Sequence, residues 1–335
     1  MNPEHLHYLC CPKTGQSLKL IENEVKEKHV VTGNLITYDG RYSYPIIRGI
    51  PRFVEREFYS NSFGYEWTKF PRIQYEDQNI GKPMEGQTTE MFHAITGLNP
   101  EEMKGNAIIE FGCGPGRFLD IVRRNGAIAI GIDLSIAVES AYKNLCNDSN
   151  VLIVQGDIYY PPFKKGIFDA GYCIGVLHHT PNPKRGVISL FSLIKKGGLI
   201  AILVYSKDGL YAAKSTFLTR TLMVRIRKMI GEVRGYKIAM IYSIISANFF
   251  YPITCLILQK SKIGKAFAHL IRKFFLVVVC IPDVNWRILD TFDAITPEYA
   301  STHTSEEVKG WLTDAGCNCL TQSVWDNTAW RGKKR

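Results

Sequence analysis

No low-complexity tract and no internal repeat interrupts the chain, which excludes fibrous, solenoid and disordered architectures. The opening MNPEHLHYLCCPK lacks the apolar core of a signal peptide, so the expectation is a cytoplasmic protein. Cysteine is present without a framework: nine residues, odd in number and irregularly spaced, fit free thiols in a reducing compartment better than a disulfide scaffold. Cys10 and Cys11 also lack partners for a zinc site. Thr14 stands where the second cysteine of a C-x-x-C knuckle would be, and no later pair follows within the first 57 residues. No metal is expected, and His5, His7 and His29 read as ordinary surface histidines.

The chain does have enough length and apolar content for one large domain plus a smaller one, with 335 residues of which 46% are hydrophobic. Its net charge of +10 is concentrated in one place. Residues 206–290 carry fourteen Lys/Arg against four Asp/Glu, and the remainder is balanced. The basic character belongs to a segment, not to the body of the protein.

Residues 107–135, AIIEFGCGPGRFLDIVRRNGAIAIGIDLS, organise the rest. An apolar run predicts a buried strand over 107–111, a glycine turn follows at Gly112, Gly114 and Gly116, a helix spans 117–124, and a second strand ends in Asp133. In a βαβ unit that turn lies at the carboxyl end of the first strand, where open α/β sheets bind ligands. Glycines let backbone approach a ligand closely. A dinucleotide fingerprint would put its third glycine at position 117, but Arg117 stands there. Glu110 sits at the first strand tip, able to meet a cationic amine, and Asp133 at the second, able to accept both hydrogen bonds of a ribose diol.

The pattern E-x-G-x-G-x-G with a later aspartate resembles motifs I and II of class I S-adenosylmethionine-dependent methyltransferases. Further stretches fall in the order that family uses: VLIVQGDI with Asp157, FDAGYCIGVLHHT with its strand and following loop, and KKGGL before a fifth strand. The resemblance implies an α/β fold, a Rossmann-like seven-stranded sheet with its last strand antiparallel, formed by residues 105–335. It implies S-adenosylmethionine as cofactor, with Asp157 meeting the adenine amino group. The implied cofactor-contacting set is Glu110, Gly112, Cys113, Gly114, Gly116, Asp133, Leu134, Asp157, Ile158 and Ile174.

Residues 1–57 read as a small β-rich module that resembles the zinc-ribbon-like domain of the Trm112 type, here without its metal ligands. Residues 58–104 contain the aromatic cluster YSNSFGYEW, and Phe63, Tyr65 and Trp67 suit either a lid over the cofactor or packing on the sheet. Residues 206–290 interrupt the core after strand five. Positions 238–259 hold no charged residue over 22 positions, long enough to span a bilayer, but Ser243, Ser246, Asn248, Pro252 and Thr254 dilute the run and Pro252 should kink it. Three arrangements stay open: lid helices around an apolar substrate pocket, a helical patch on an anionic membrane surface, and a transmembrane hairpin.

Methyl transfer needs positioning, exclusion of water and, for an oxygen or nitrogen nucleophile, a base. His178 and His179 follow strand four, beside the methyl group in the resembling family, and His303 is their rival because it returns to the core after the insertion. Either of the pair could instead bond only backbone. The reading is a methyltransferase acting on a small-molecule, sugar, lipid-linked or quinone-like acceptor, peripheral to the inner face of a membrane. An RNA methyltransferase and a non-catalytic cofactor-binding partner protein are the alternatives. The apolar content of the basic segment and the missing N-P-P-Y tetrapeptide after strand four weigh against a nucleic acid.

Overall fold

A computed structural model describes residues 1–54 and 60–335. Tyr59 of the aromatic cluster and the expected module boundary at 57 and 58 lie outside the described residues.

The first 54 residues form an antiparallel sheet of β1 (Leu18–Lys26), β2 (His29–Thr37), β3 (Ser43–Ile47) and β4 (Ile50–Pro51). This sheet has no separate core. Tyr8, Leu9, Leu35 and Ile46 share one apolar cluster with Ile109, Phe163 and Phe168 of the large domain, so the module is an extension of that domain's packing. Arg52 ties the two together, donating to Gln155 Oε1 at 2.7 Å and pairing with Glu139. His5 is a correction: it is buried, not at the surface, and burial lowers its pKa to about 4. Cys11 is buried with its Sγ 3.1 Å from the Tyr44 hydroxyl.

After helices α1 (Asn61–Lys69), α2 (Gln87–Thr96) and α3 (Pro100–Met103), the large sheet begins. It alternates strand and helix: β5 (Ala107–Phe111), α4 (Arg117–Arg124), β6 (Ile128–Asp133), α5 (Ala137–Leu145), β7 (Val151–Gln155), β8 (Phe168–Ile174), α6 (Pro183–Leu193) and β9 (Ile194–Leu203). The four helices α7 (Lys214–Ile230), α8 (Glu232–Ile245), α9 (Lys262–Phe274) and α10 (Val284–Ile295) intervene before α11 (Ser305–Ala315), β10 (Cys317–Gln322) and β11 (Ala329–Lys334) close the fold. The strand order is β10-β11-β9-β8-β5-β6-β7, with β5 to β9 parallel and β11 antiparallel to β9. Apolar runs such as AIIEF and VLIVQ are buried at every position, as strands covered on both faces must be. The order reverses between β5 and β8, and ligands of such sheets bind at that switch point.

The insertion differs from expectation in three ways. It reaches Ile295 and not 290, because α10 runs on unbroken. The apolar run 238–259 belongs to a longer helix, Glu232 to Lys260, which passes Pro252 through π-helical turns at Ser246–Phe250 and Pro252–Ile257. Cys255 and Cys280 are disulfide-bonded, 25 residues apart, while the other seven cysteines are free. No spacing motif marks that pair.

Candidate active site

The carboxyl ends of β5, β6 and β8, and the loop after β7, open into one crevice of about 350 Å³. Glu110, Gly112, Cys113, Gly114, Asp133, Leu134, Asp157, Ile158 and Ile174 all line it. Gly116 does not. It caps α4 at φ +89°, and a Cβ there would stand 2.7 Å from Leu145 Cδ1, so its role is close packing of helix against helix.

Asp133 shapes the loop directly. Its Oδ2 accepts from Gly114 N–H at 2.9 Å, and its Oδ1 accepts from Ser135 N–H and Ser135 Oγ–H, both at 2.8 Å. Burial nevertheless raises its pKa, opposed by the Ser135 and Gly114 bonds. Glu110, also buried, accepts from the Tyr172 hydroxyl at 3.2 Å, and burial pushes it well above the ordinary carboxyl range. The glycine loop comes close to the opposite wall, since a Cβ on Gly114 would lie 3.2 Å from Trp67 Nε1. Phe63 and Trp67 therefore belong to the crevice wall, whereas Tyr65 stacks on Tyr236 and Phe292.

The far half of the crevice comes from residues that carry no motif. Glu66, Tyr205, Tyr211, Trp286, Asp290 and Asp293 line it together with His179. Tyr205 stacks on Tyr211 with ring centres 3.4 Å apart and donates its hydroxyl proton to Asp293. Burial and the Asp293 charge raise Asp290 to about 7, and burial with Asp293 and Asp290 drives Glu66 well above its usual value. Glu66 Oε2 has no hydrogen-bond partner among the described residues. The half-buried Arg117 faces Asp290 and Glu110 across the crevice. Six carboxyls and this one guanidinium line the crevice. In the sequence, the acids at 290 and 293 of an otherwise basic segment were the available signal for this half.

The three histidines separate. His179 is buried, and its Nδ1 lies 3.0 Å from the Tyr299 carbonyl oxygen. A carbonyl only accepts, so Nδ1 carries the ring proton and Nε2 keeps its lone pair. That Nε2 has no hydrogen-bond partner among the described residues and stands 3.7 Å from Asp293 Oδ1. Burial lowers the His179 pKa despite Asp293, so the ring is neutral near pH 7. His178 faces away: it stacks on Tyr205 at 3.5 Å, and its Nδ1 accepts from Tyr205 N–H. His303 pairs with Ser301 Oγ at 2.8 Å and packs on Trp311. Neither is among the residues that line the crevice. Among the described residues no group of three or more His, Cys, Asp or Glu is arranged to hold a metal.

Residues 109–202 match the family described as a methyltransferase domain. The chain is 31% identical over 98 residues to the ubiquinone biosynthesis O-methyltransferase of Coxiella burnetii, covering 29% of this chain and 42% of that protein. It is 29% identical over 107 residues to a tRNA (carboxymethyluridine(34)-5-O)-methyltransferase of Arabidopsis thaliana, covering 31% and 25%. The chain thus spans between a quarter and a half of the length of these two curated relatives. Among solved structures it is similar to an S-adenosylmethionine-dependent methyltransferase of Thermotoga maritima, with TM-score 0.43 and 13% identity over 82% of this chain and 100% of that one. A chain from the complex of the Haloferax volcanii Trm112 activator with a methyltransferase matches with TM-score 0.37 and 17% identity, over 45% and 63%.

Proposed function

We propose that this chain, which carries a class I S-adenosylmethionine-dependent methyltransferase domain over its 109–202 core, methylates an oxygen of a small, largely apolar acceptor of phenol or quinol type. The observation that carries this reading is His179, neutral, held through Nδ1 and presenting an unpartnered Nε2 to the crevice. S-adenosylmethionine, when bound, supplies an electrophilic methyl group; the residues do the rest. Asp133 would hold the ribose hydroxyls, Asp157 the adenine amino group, and Glu110 the ammonium. Gly112 and Gly114 allow close approach of the backbone.

On the acceptor side, Phe63, Tyr205, Tyr211 and Trp286 offer aromatic walls that exclude water. His179 Nε2 takes the acceptor hydroxyl proton as the oxygen attacks, and Asp293 stabilises the imidazolium that results. Glu66, which burial pushes well above the ordinary carboxyl range, and Asp290, raised to about 7, donate to the acceptor's other oxygens when protonated. The O-methyltransferase similarity supports the reading without deciding the acceptor.

The test is incubation of the purified chain with methyl-labelled cofactor and a fractionated extract. Label is expected in the lipid-soluble fraction and is expected to vanish with His179→Gln. Label in RNA or protein would overturn the reading.

A further inference from the structure

The helix from Glu232 to Lys260 is built inside out. Apart from Tyr236, its buried side consists of small or polar residues, among them Ala239, Ser243, Ser246 and Thr254. Its open side carries Ile241, Ile245, Phe249 and Leu256, each about half exposed or more at 57%, 46%, 59% and 51%. Neighbouring α9 repeats the arrangement, burying Gly264 and Ala268 while exposing Ile263 at 85% and Phe267 at 54%. Of the 27 large hydrophobic side chains that are exposed among the described residues, 17 fall between Phe217 and Phe275. A soluble surface scatters such residues singly; a contiguous field of them marks an interaction site.

The charges around this field decide what covers it. Arg225, Arg234, Lys237, Lys260, Lys262 and Lys265 border it, all exposed, and none is in an ion pair among the described residues. The segment's acids are engaged elsewhere: Glu232 accepts from Asn61, Asp283 caps α10, and Asp290 lines the crevice. A second copy of the chain would set cation against cation. A surface that is apolar at its centre and negative at its border complements the field, and a bilayer interface rich in anionic lipid is such a surface.

We propose that residues 214–275 dock the protein in the plane of an anionic membrane. The helix lies on the bilayer and does not cross it. Its inner side is fastened at its middle: Ser246 Oγ–H donates to the Val277 carbonyl at 2.6 Å, Val277 N–H donates to the Tyr242 hydroxyl at 3.0 Å, and Arg287 Nε–H donates to the Ala247 carbonyl at 3.2 Å. Spanning would break all three bonds and expose Ser243 and Ser246 to hydrocarbon. The docked face also communicates with the crevice. A second cavity of about 700 Å³, lined by His269, Arg272 and Lys273 of α9, shares Tyr211 and Asp290 with it.

The test is flotation of the full chain with vesicles of phosphatidylcholine alone or with phosphatidylserine added, at low and high salt. Binding is expected only with phosphatidylserine and is expected to fall at high salt. K262Q/K265Q should weaken it about fivefold per lysine. F249S/F267S should lose it more than tenfold while keeping native circular dichroism and cofactor affinity, which sets the result apart from misfolding. Equal binding to both vesicle types, no flotation with either, or resistance to alkaline carbonate extraction would each overturn the proposal. So would a dimer in light scattering that F249S/F267S dissociates when vesicles do not bind.

Discussion

Replacing Asp133 by Asn is the sharpest test of the cofactor half of the crevice. The carboxylate holds the loop by accepting from Gly114 and Ser135, and its remaining lone pairs face the crevice, where the ribose diol would sit. Asn keeps the volume but turns one acceptor oxygen into an NH₂ donor. Wherever that NH₂ points, it faces a donor of its own chain or a ribose hydroxyl. A hydrogen bond to a charged acceptor contributes roughly 1.5–3 kcal/mol, so losing the one made by that oxygen costs about 1.5–3 kcal/mol. At 1.4 kcal/mol per decade this weakens binding by roughly 10–10². The unliganded protein loses less, about 1–3 kcal/mol for an unpaired buried donor, partly offset because the buried charge has also gone. Isothermal titration with S-adenosylhomocysteine, beside a melting curve without ligand, separates the two effects. Because burial raises the pKa of Asp133, wild-type affinity should decline as pH falls toward that pKa, and the D133N protein should show no such decline. Affinity of D133N within threefold of wild type would refute the assigned role.

Other outcomes follow from the same geometry. His179→Gln should lower the methylation rate by roughly 10²–10⁴ with cofactor affinity unchanged, and since the His179 pKa is depressed the acid limb of the wild-type rate profile should lie below pH 6.5. Asp290 ionises near 3.8 when unfolded but at about 7 when folded, so the folded state holds the extra proton in between, and stability should fall as pH rises through that window. Asp290→Asn should therefore raise the melting temperature at pH 8 and leave it nearly unchanged at pH 4, the gain at pH 8 being at most about 4 kcal/mol and smaller to the extent that water enters the crevice. Gly116→Ala forces a side chain into φ +89° and against Leu145, so a loss of about 2–4 kcal/mol is expected in denaturant melts.

The half of the fold built from residues 107–204 was legible because each step is local. A strand buried on both faces needs an unbroken apolar run, a tight turn needs glycine, and the two together place Glu110, Asp133 and Asp157 at successive strand tips. The other half was not. Whether His178 or His179 enters the crevice depends on how a short turn of the chain directs two adjacent rings, and the residue types are identical. Glu66, Asp290 and Asp293 meet only because α1 and α10 pack side by side, across more than two hundred residues of sequence. Hydropathy over 238–259 registered an apolar helix, but a sum over positions has no direction. It was blind to the small residues facing inward and the large ones outward.

That division has a consequence for how the insertion serves the reaction. The cofactor half is a single contiguous stretch anchored in the sheet, whereas the acceptor half is assembled from α1, the 205–211 segment and α10. Helix α10 packs on α7 and α8, whose far sides carry the exposed apolar field, and Tyr65 of α1 stacks on Tyr236 of α8 and Phe292 of α10. Any load on the outer face of α7 and α8 therefore reaches Trp286, Asp290 and Asp293 through one layer of packed side chains, while Asp133 stays fixed by the pairing of β6 with β7 and holds Gly114 through its carboxylate. Anionic vesicles should accordingly lower the KM for a lipid-soluble acceptor and leave the cofactor KM unchanged. Steady-state kinetics with and without vesicles reads both constants, and a parallel change in the two would show that the halves are mechanically coupled, contrary to this separation.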